Sequence, residues 1–354
     1  MALRFAIVGC GMIARFHARA LKEVLGARLV ALVSSHPENA VKMVETIGLD
    51  CDVSTDLSQV LRRQDVDALI VTTPSGAHLE PAVAAAEAGK HVVVEKPLEI
   101  TVERCDRIIE ACERNRVQLC TIFPSRFGDA NLQLKAAVDG GRFGRLTLGE
   151  TTCKWWRAQS YYDEGGWKGT RALDGGGALM NQAIHNVDLL NWVMGPVTHV
   201  SGFTATLAHE RIEVEDTAVA CLRFASGALG VIQAATSVHP GLPKAIAVHG
   251  DRGTVVIEQD DILRWELSPE TAEDRAIKER FAQKTAASGG ASDPAAISHA
   301  GHVRQLSDFV QAVKGGRAPI VDGREGRKAV EIILAIYRSA ATGKTIELDA
   351  GKKG

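Results

Sequence analysis

The apolar run at residues 3–8 breaks off at Gly9-Cys10-Gly11, and residues 13–25 follow at once with Phe16, Ala20 and Val24 on one helical face. A strand that enters a helix through a two-glycine turn reads as the opening of a strand-helix-strand unit. The alternation continues. Residues 28–33 read as a strand and 37–47 as a helix, then 66–72 as a strand and 79–88 as an alanine-rich helix stopped by Gly89. Residues 91–95 form a further strand, 101–115 a helix and 117–123 the last strand of the series. These strands are apolar almost without interruption, as burial on both faces requires. The pattern predicts a parallel sheet covered by helices on both sides, with right-handed crossovers.

Beyond residue 124 the rhythm changes. Residues 146–156, 199–207, 217–224, 227–237, 245–250 and 253–259 read as strands with few helices between them, and the turn at 224–228 joins two of them as a hairpin. This predicts an α+β second domain built on a large, mostly antiparallel open sheet. Val303, Leu306, Phe309, Val310 and Val313 mark one helical face, a further helix lies within 323–341, and the Ala-, Ser- and Gly-rich stretch 284–301 reads as a loop. A chain of 354 residues exceeds one ordinary core. The expected division is a first domain at 1–123 and a second at 124–354.

Bulk properties exclude several classes. A formal charge of -2 creates no global field for nucleic acid. No apolar run approaches the roughly 20 residues that span a bilayer, and the start at Met1-Ala2-Leu3-Arg4 carries no signal pattern. Cysteines 10, 51, 105, 112, 120, 153 and 221 form no Cys-x-x-Cys pair and are odd in number. Free thiols in a reduced, cytoplasmic protein fit this better than a disulfide framework or a metal site.

Gly9-x-Gly11-x-x-Ala14 has the form of a dinucleotide-binding turn, and it stands in the strand-to-helix context that the form requires. Gly9 allows the tight turn, Gly11 lets backbone approach a pyrophosphate, and the N–H groups that follow at Met12 and Ile13 would face the phosphates. The second strand ends at Ser34-Ser35-His36 without the acid that bonds an adenine ribose. Hydroxyls and an imidazole there tip the choice slightly from NAD to NADP, although no arginine secures a 2′-phosphate. Thr73-Pro74 and His78 follow the 66–72 strand at the carboxyl edge, where such sheets bind ligands. His78 is either a cofactor contact or a helix-start residue. Glu95-Lys96-Pro97 leaves the 91–95 strand at the same edge, so Lys96 is a cation aimed at a ligand rather than a solvated helix residue.

With these features the chain resembles the glucose-fructose oxidoreductase and inositol dehydrogenase family over essentially its whole length. The resemblance rests on the glycine turn, Thr73-Pro74-x-x-x-His78, Glu95-Lys96-Pro97, Gly175-Gly176-Gly177 leading to His185-Asn186-Val187-Asp188, and the C-terminal Ala335-Ile336-Tyr337-Arg338-Ser339-Ala340. It implies a Rossmann domain followed by an α+β domain whose open sheet face buries itself in a homodimer or homotetramer. It implies an NAD(P)-dependent dehydrogenase that moves a hydride between nicotinamide and a ring carbinol of a sugar, sugar derivative or cyclitol. The stretch around Trp167-Lys168-Gly169-Thr170-Arg171 is similar to a subgroup acting on pyranose sugars, anhydrosugars or nucleotide-linked sugar acids. Two alternatives share the scaffold: an NAD-dependent glycosidase working through transient oxidation, and a cofactor-sensing regulator that does no chemistry. Retention of Lys96 and His185 speaks against the second.

The resemblance assigns Lys96 to hold the reacting hydroxyl and the nicotinamide, and a preorganised ammonium would stabilise the developing alkoxide. His185 suits proton abstraction, since imidazole titrates near neutrality. Asn181 and His185 stand at i and i+4, so they share a face of a regular helix beginning near Gly177, with Asp188 three residues further on. Family members often carry aspartate where Asn181 stands. An amide can hydrogen-bond a hydroxyl but cannot exchange a proton. Trp155, Trp156, Arg157, Tyr161, Tyr162, Trp167, Lys168 and Arg171 crowd one stretch, in which aromatic faces would stack on a sugar and cations pair with a carboxylate or phosphate. Trp167 and Arg171 are the expected substrate contacts there, with Arg126, which follows Phe123-Pro124-Ser125 at the domain junction, and with Lys96, Asn181 and His185.

Overall fold

The computed structural model describes residues 2–164, 166–282 and 299–349. They form two compact units. The first comprises the described residues of 1–124 with 172–175 and 299–330, and the second those of 125–171, 176–298 and 331–354.

In the first unit six strands alternate with five helices in chain order: β1 (Leu3–Val8), α1 (Met12–Glu23), β2 (Ala27–Val33), α2 (Pro37–Ile47), β3 (Asp52–Ser54), α3 (Leu57–Leu61), β4 (Ala68–Val71), α4 (Leu79–Glu87), β5 (His91–Val94), α5 (Val102–Arg114) and β6 (Leu119–Thr121). The strands are parallel in the order β3-β2-β1-β4-β5-β6. The order reverses between β1 and β4, the switch point at which doubly wound sheets open a crevice. The register is level there: Val8 pairs with both Val33 and Val71, and Val71 with Val94. Gly9, Ser34, Thr72 and Glu95 therefore leave the sheet side by side.

The short strand β3 and helix α3 escape a periodicity reading because neither is long enough to show one. Thr101 caps α5 alone, its hydroxyl accepting from the Arg104 N–H at 3.2 Å. One face of the sheet is covered by α1 and by a late helix, Ala300–Gly315, whose Leu306, Phe309 and Val310 enter the same core as Phe5, Ile7 and Leu32. The Phe5 and Phe309 rings lie 6.1 Å apart. The loop expected at 284–301 falls outside the described residues as far as 298, and Ala300 and Gly301 already belong to the late helix.

The second unit contains α6 (Asp129–Asp139), β7 (Leu146–Lys154), α7 (Gln159–Asp163), α8 (Ile184–Met194), β8 (Val197–Ala205), β9 (Thr217–Phe224), β10 (Leu229–Ala235), β11 (Ala245–Gly250), β12 (Gly253–Glu258), β13 (Asp261–Leu267) and α9 (Ala272–Ala282). The late helix is thus α10, followed by α11 (Gly323–Thr342) and β14 (Ile346–Glu347). Eight strands run β13-β12-β11-β7-β10-β9-β8-β14, antiparallel except for the β7–β10 pair. The hairpin expected at 224–228 joins β9 to β10. Helix α8 packs on β7 and β11, and its buried residues include Val187, Leu190 and Met194. On one sheet face Phe203 pairs with Val219, Cys221 with Val231, and Leu229 with Leu148. Phe203, Val219, Leu229 and Leu148 are exposed there.

Candidate active site

The turn after β1 has the form that a dinucleotide needs. Gly9 sits at φ +90°, and a Cβ at that position would lie 2.8 Å from the Thr72 carbonyl carbon. The close approach is fastened by the Thr72 hydroxyl, which donates to the Val8 and Gly9 carbonyls at 2.9 and 2.6 Å. Gly11 is the N-cap of α1, no side chain caps that end, and a Cβ there would meet only open space. The first-turn N–H groups of a helix have no intrahelical partner, so those at Met12 and Ile13 face an uncrowded approach with a favourable dipole. These residues fit a pyrophosphate.

Ser34 is buried in a local turn, its hydroxyl donating to the His36 carbonyl at 2.9 Å and accepting from the His36 N–H. Ser35 and His36 are exposed, and His36 Nδ1 lies 3.4 Å from the Glu38 carboxylate. Glu38 therefore puts negative charge beside the imidazole of His36, which a reading of strand ends alone does not register.

Lys96 is half-buried directly after β5, and its peptide bond to Pro97 is cis. Its N–H donates to Glu95 Oε2 at 3.0 Å. Glu95, expected among the cofactor contacts, is 4% exposed and turned inward. Its Oε1 accepts from His17 Nε2 on α1 at 2.8 Å and lies 3.7 Å from His302 Nε2 on α10. Burial alone would raise this carboxyl, but the two imidazoles outweigh it and hold it well below the usual range, while burial lowers His17. An ionised carboxylate thus accepts from a neutral imidazole. The three side chains also form a cluster of metal-ligand type. A metal-bound histidine normally donates its other ring N–H to a partner. Here the Nδ1 atoms of His17 and His302 are buried without one, and the 2.8 Å contact is a direct hydrogen bond. The cluster braces the backbone at Lys96 rather than fitting an ion.

His78 is likewise a brace. It is 1% exposed, with Nδ1 2.8 Å from the Pro97 carbonyl and Nε2 3.0 Å from that of Thr73. Both partners only accept, and burial lowers the imidazole, so the neutral ring donates to one carbonyl at a time. It ties the Thr73-Pro74 turn to the Lys96-Pro97 turn, both of which reach the carboxyl edge of the sheet. Thr73 and Pro74 themselves are half-buried.

In the second unit, residues Ala178–Ala183 form a π-helical segment that runs into α8. The i, i+4 spacing predicts a regular α-helix from Gly177 onward. Instead the chain passes Asn181 in the wider π turn and reaches His185 in the first turn of α8, and both residues are half-buried. Such π segments occur frequently at functional sites. Asp188 accepts from Arg126 Nε at 2.8 Å and Nη2 at 2.6 Å, with both side chains 1% exposed. Arg126, expected to reach the substrate, is thus buried in a bidentate ion pair, because a guanidinium enters a core only with its charge matched.

The aromatic and cationic stretch divides in two. Trp155 and Tyr162 are buried, Arg157 stacks over Trp155 at 5.0 Å, and Tyr162 Oη bonds the Thr236 hydroxyl at 2.8 Å. These build the scaffold. Lys168 Nζ lies 3.8 Å from the centre of the Tyr161 ring, and Trp167 is half-buried beside it in sequence. Arg171 is exposed, and its Nε donates to the Glu213 carbonyl at 3.1 Å.

Sequence reasoning missed Glu215. Its carboxylate accepts from the N–H groups of Gly177 and Leu179, both at 2.9 Å, and from Tyr337 Oη at 3.0 Å. Two of its partners, Gly177 and Tyr337, stand in motifs legible in the sequence, but Glu215 itself stands in none.

Residues 3–123 match the oxidoreductase family with an NAD-binding Rossmann fold, and residues 131–256 match the Gfo/Idh/MocA C-terminal domain. The WlbA dehydrogenase of Bordetella pertussis, solved with NADH and UDP-GlcNAcA, is 35% identical, with 99% of each chain covered and a TM-score of 0.85. Its counterpart from Chromobacterium violaceum, solved with the same two ligands, is 36% identical over 98% of this chain and 96% of that one, with a TM-score of 0.86. Myo-inositol 2-dehydrogenase of Thermotoga maritima is 28% identical over 98% of this chain and 99% of its own length. Among the described residues, no helix is long and apolar enough to cross a membrane.

Proposed function

The chain belongs to the Gfo/Idh/MocA family of oxidoreductases, and from that premise we propose that it oxidises or re-forms a ring carbinol of a nucleotide-linked sugar acid. The observation that carries the substrate class is the 35–36% identity, over almost the whole chain, to dehydrogenases solved with NADH and UDP-GlcNAcA. Lys168 over Tyr161, with Trp167 and Arg171 close by in sequence, supplies the cation and aromatic chemistry that an acidic, nucleotide-bearing sugar calls for.

Bound nicotinamide supplies the hydride acceptor. The turn at Gly9 and Gly11 holds the pyrophosphate on the α1 N-terminus. Lys96, braced from behind by Glu95, holds the carbinol oxygen and stabilises the charge that grows on it as the carbon–hydrogen bond breaks. His185 takes the hydroxyl proton, so the carbinol loses one hydride and one proton and becomes a carbonyl. Asn181 orients a sugar hydroxyl, since its amide can bond but cannot relay.

Glu38 beside His36 would repel a 2′-phosphate, and this outweighs the lean to NADP drawn from Ser34, Ser35 and His36. NAD is the proposed cofactor. The exposed apolar face at Phe203, Val219 and Leu229 is proposed to be covered by a second copy of the chain in a homodimer or homotetramer. Seven free cysteines fit a cytoplasmic setting. Steady-state rates with NAD and NADP across UDP-sugar acids, hexoses, anhydrosugars and cyclitols test the assignment. Turnover is expected to be greatest with NAD and a UDP-linked acid, and a preference for free cyclitols would refute it.

A further inference from the structure

The segment that carries Asn181 and leads to His185 is fixed from outside its own helix. Gly177, its N-cap, offers no side chain. Glu215, in the loop before β9, takes that role across the fold. Its Oε2 accepts from the Gly177 N–H and its Oε1 from the Leu179 N–H, while its own carbonyl accepts from the Ala178 N–H at 3.0 Å. Three successive orphan donors at the start of the segment are thus satisfied by one residue. The fit is close: a Cβ on Gly177 would come within 1.7 Å of the Glu215 carbonyl oxygen, and one on Gly176 within 2.2 Å of the Tyr337 hydroxyl. Gly176 and Gly177 therefore have a reason beyond the turn itself.

We propose that Glu215, steadied by Tyr337, is a positioning residue whose ionised carboxylate holds the segment bearing Asn181 and His185 in its working register. The proposal rests on reading His185 as the proton acceptor. Its basis is donor and acceptor count. All four groups that meet the carboxylate donate: the backbone N–H groups of Gly177, Leu179 and Glu215 itself, and one phenol. The lone-pair sites of a carboxylate accept all four. A carboxylic acid gives one of those sites to its own proton, so one bond must be given up or the phenol must turn round. The start of the segment then loosens.

No charged side chain is needed to set where this happens. From α11 the Tyr337 hydroxyl faces Glu215, and from the π segment the Gly177 and Leu179 N–H groups do. On its own loop, Asp216 turns to the N–H groups of Leu207, Ala208 and His209 and to the His209 ring, and Glu213 accepts from the Arg171 N–H. Burial pushes Glu215 up to about 7, against the pull of the Leu179, Gly177 and Glu215 N–H groups and the Tyr337 hydroxyl. The ionised, holding form is therefore present above neutrality and is lost as pH falls through it. Removal of the Tyr337 donor would raise that point.

Two measurements on the whole enzyme test this. Hydrogen exchange of the amides at 177–185, corrected for intrinsic rates, is followed across neutrality in the wild type, Tyr337→Phe and Glu215→Gln. Protection should fall on the order of tenfold as the wild type is acidified. In Tyr337→Phe the fall should move to higher pH. In Glu215→Gln protection should be low and insensitive to pH, while cofactor affinity, read by fluorescence titration, stays at the wild-type value and reports a folded first unit. The acid limb of kcat should move upward with the exchange transition in Tyr337→Phe. Protection that ignores pH in the wild type, or a transition unmoved in Tyr337→Phe, overturns the proposal. Full kcat in His185→Ala would overturn the underlying assignment of the base, and the exchange result does not depend on it.

Discussion

Three charged residues show how burial decides a role. Lys96 keeps a half-buried position at the sheet edge, where an ammonium can meet a ligand, and its backbone is held by Glu95. Glu95 belongs to that support, not to the ligand surface. Arg126 had the residue type of a substrate contact but pairs with Asp188 in the core of the second unit. Removing one member of such a pair leaves an uncompensated buried charge. Asp188→Ala is therefore expected to destabilise the protein by about 3–5 kcal/mol, read as a lower denaturant midpoint. Dinucleotide affinity, measured separately, should be unchanged. Residue types made Arg126 and Asp188 visible in the sequence. Their pairing was not, because 62 positions separate them and nothing local to either names the other.

At the scale of elements, the alternation up to residue 123 was legible wherever a strand or helix is long enough to show its period, and β3 and α3 are not. The glycine turn was legible for a stronger reason, since its geometry leaves little choice of residue. Gly9→Ala would combine a left-handed backbone with a Cβ 2.8 Å from the Thr72 backbone. It should cost about 1–3 kcal/mol of stability and weaken NAD binding, measurable by chemical denaturation and by fluorescence titration. Unchanged affinity in this variant would mean that the turn does not carry the pyrophosphate. The π segment was not legible. Spacing at 181 and 185 looks the same whether the helix is regular or widened, and the groups bonded at its start lie elsewhere, at Glu215 and Tyr337. Helix α10 shows the same limit, since its apolar face was clear from Val303, Leu306 and Phe309 but not its seat beside Phe5 and α1.

For the molecule as a whole, two surfaces remain to be matched to partners: the carboxyl edge of the parallel sheet and the apolar face of the antiparallel one. Phe203 is 76% exposed on that face, and its neighbours across the register are apolar. Phe203→Asp is expected to shift the protein to a smaller species in light scattering after size exclusion, with the fold retained by circular dichroism. A wild-type protein that already runs as a monomer would refute the covered face. Whether Lys96 acts on the hydride step itself is read from the single-turnover rate of nicotinamide reduction with NAD and a UDP-linked sugar acid. Lys96→Ala should slow that step by about 100- to 1,000-fold while leaving the affinity for NAD unchanged. A rate within about twofold of the wild type would rule out that role for Lys96.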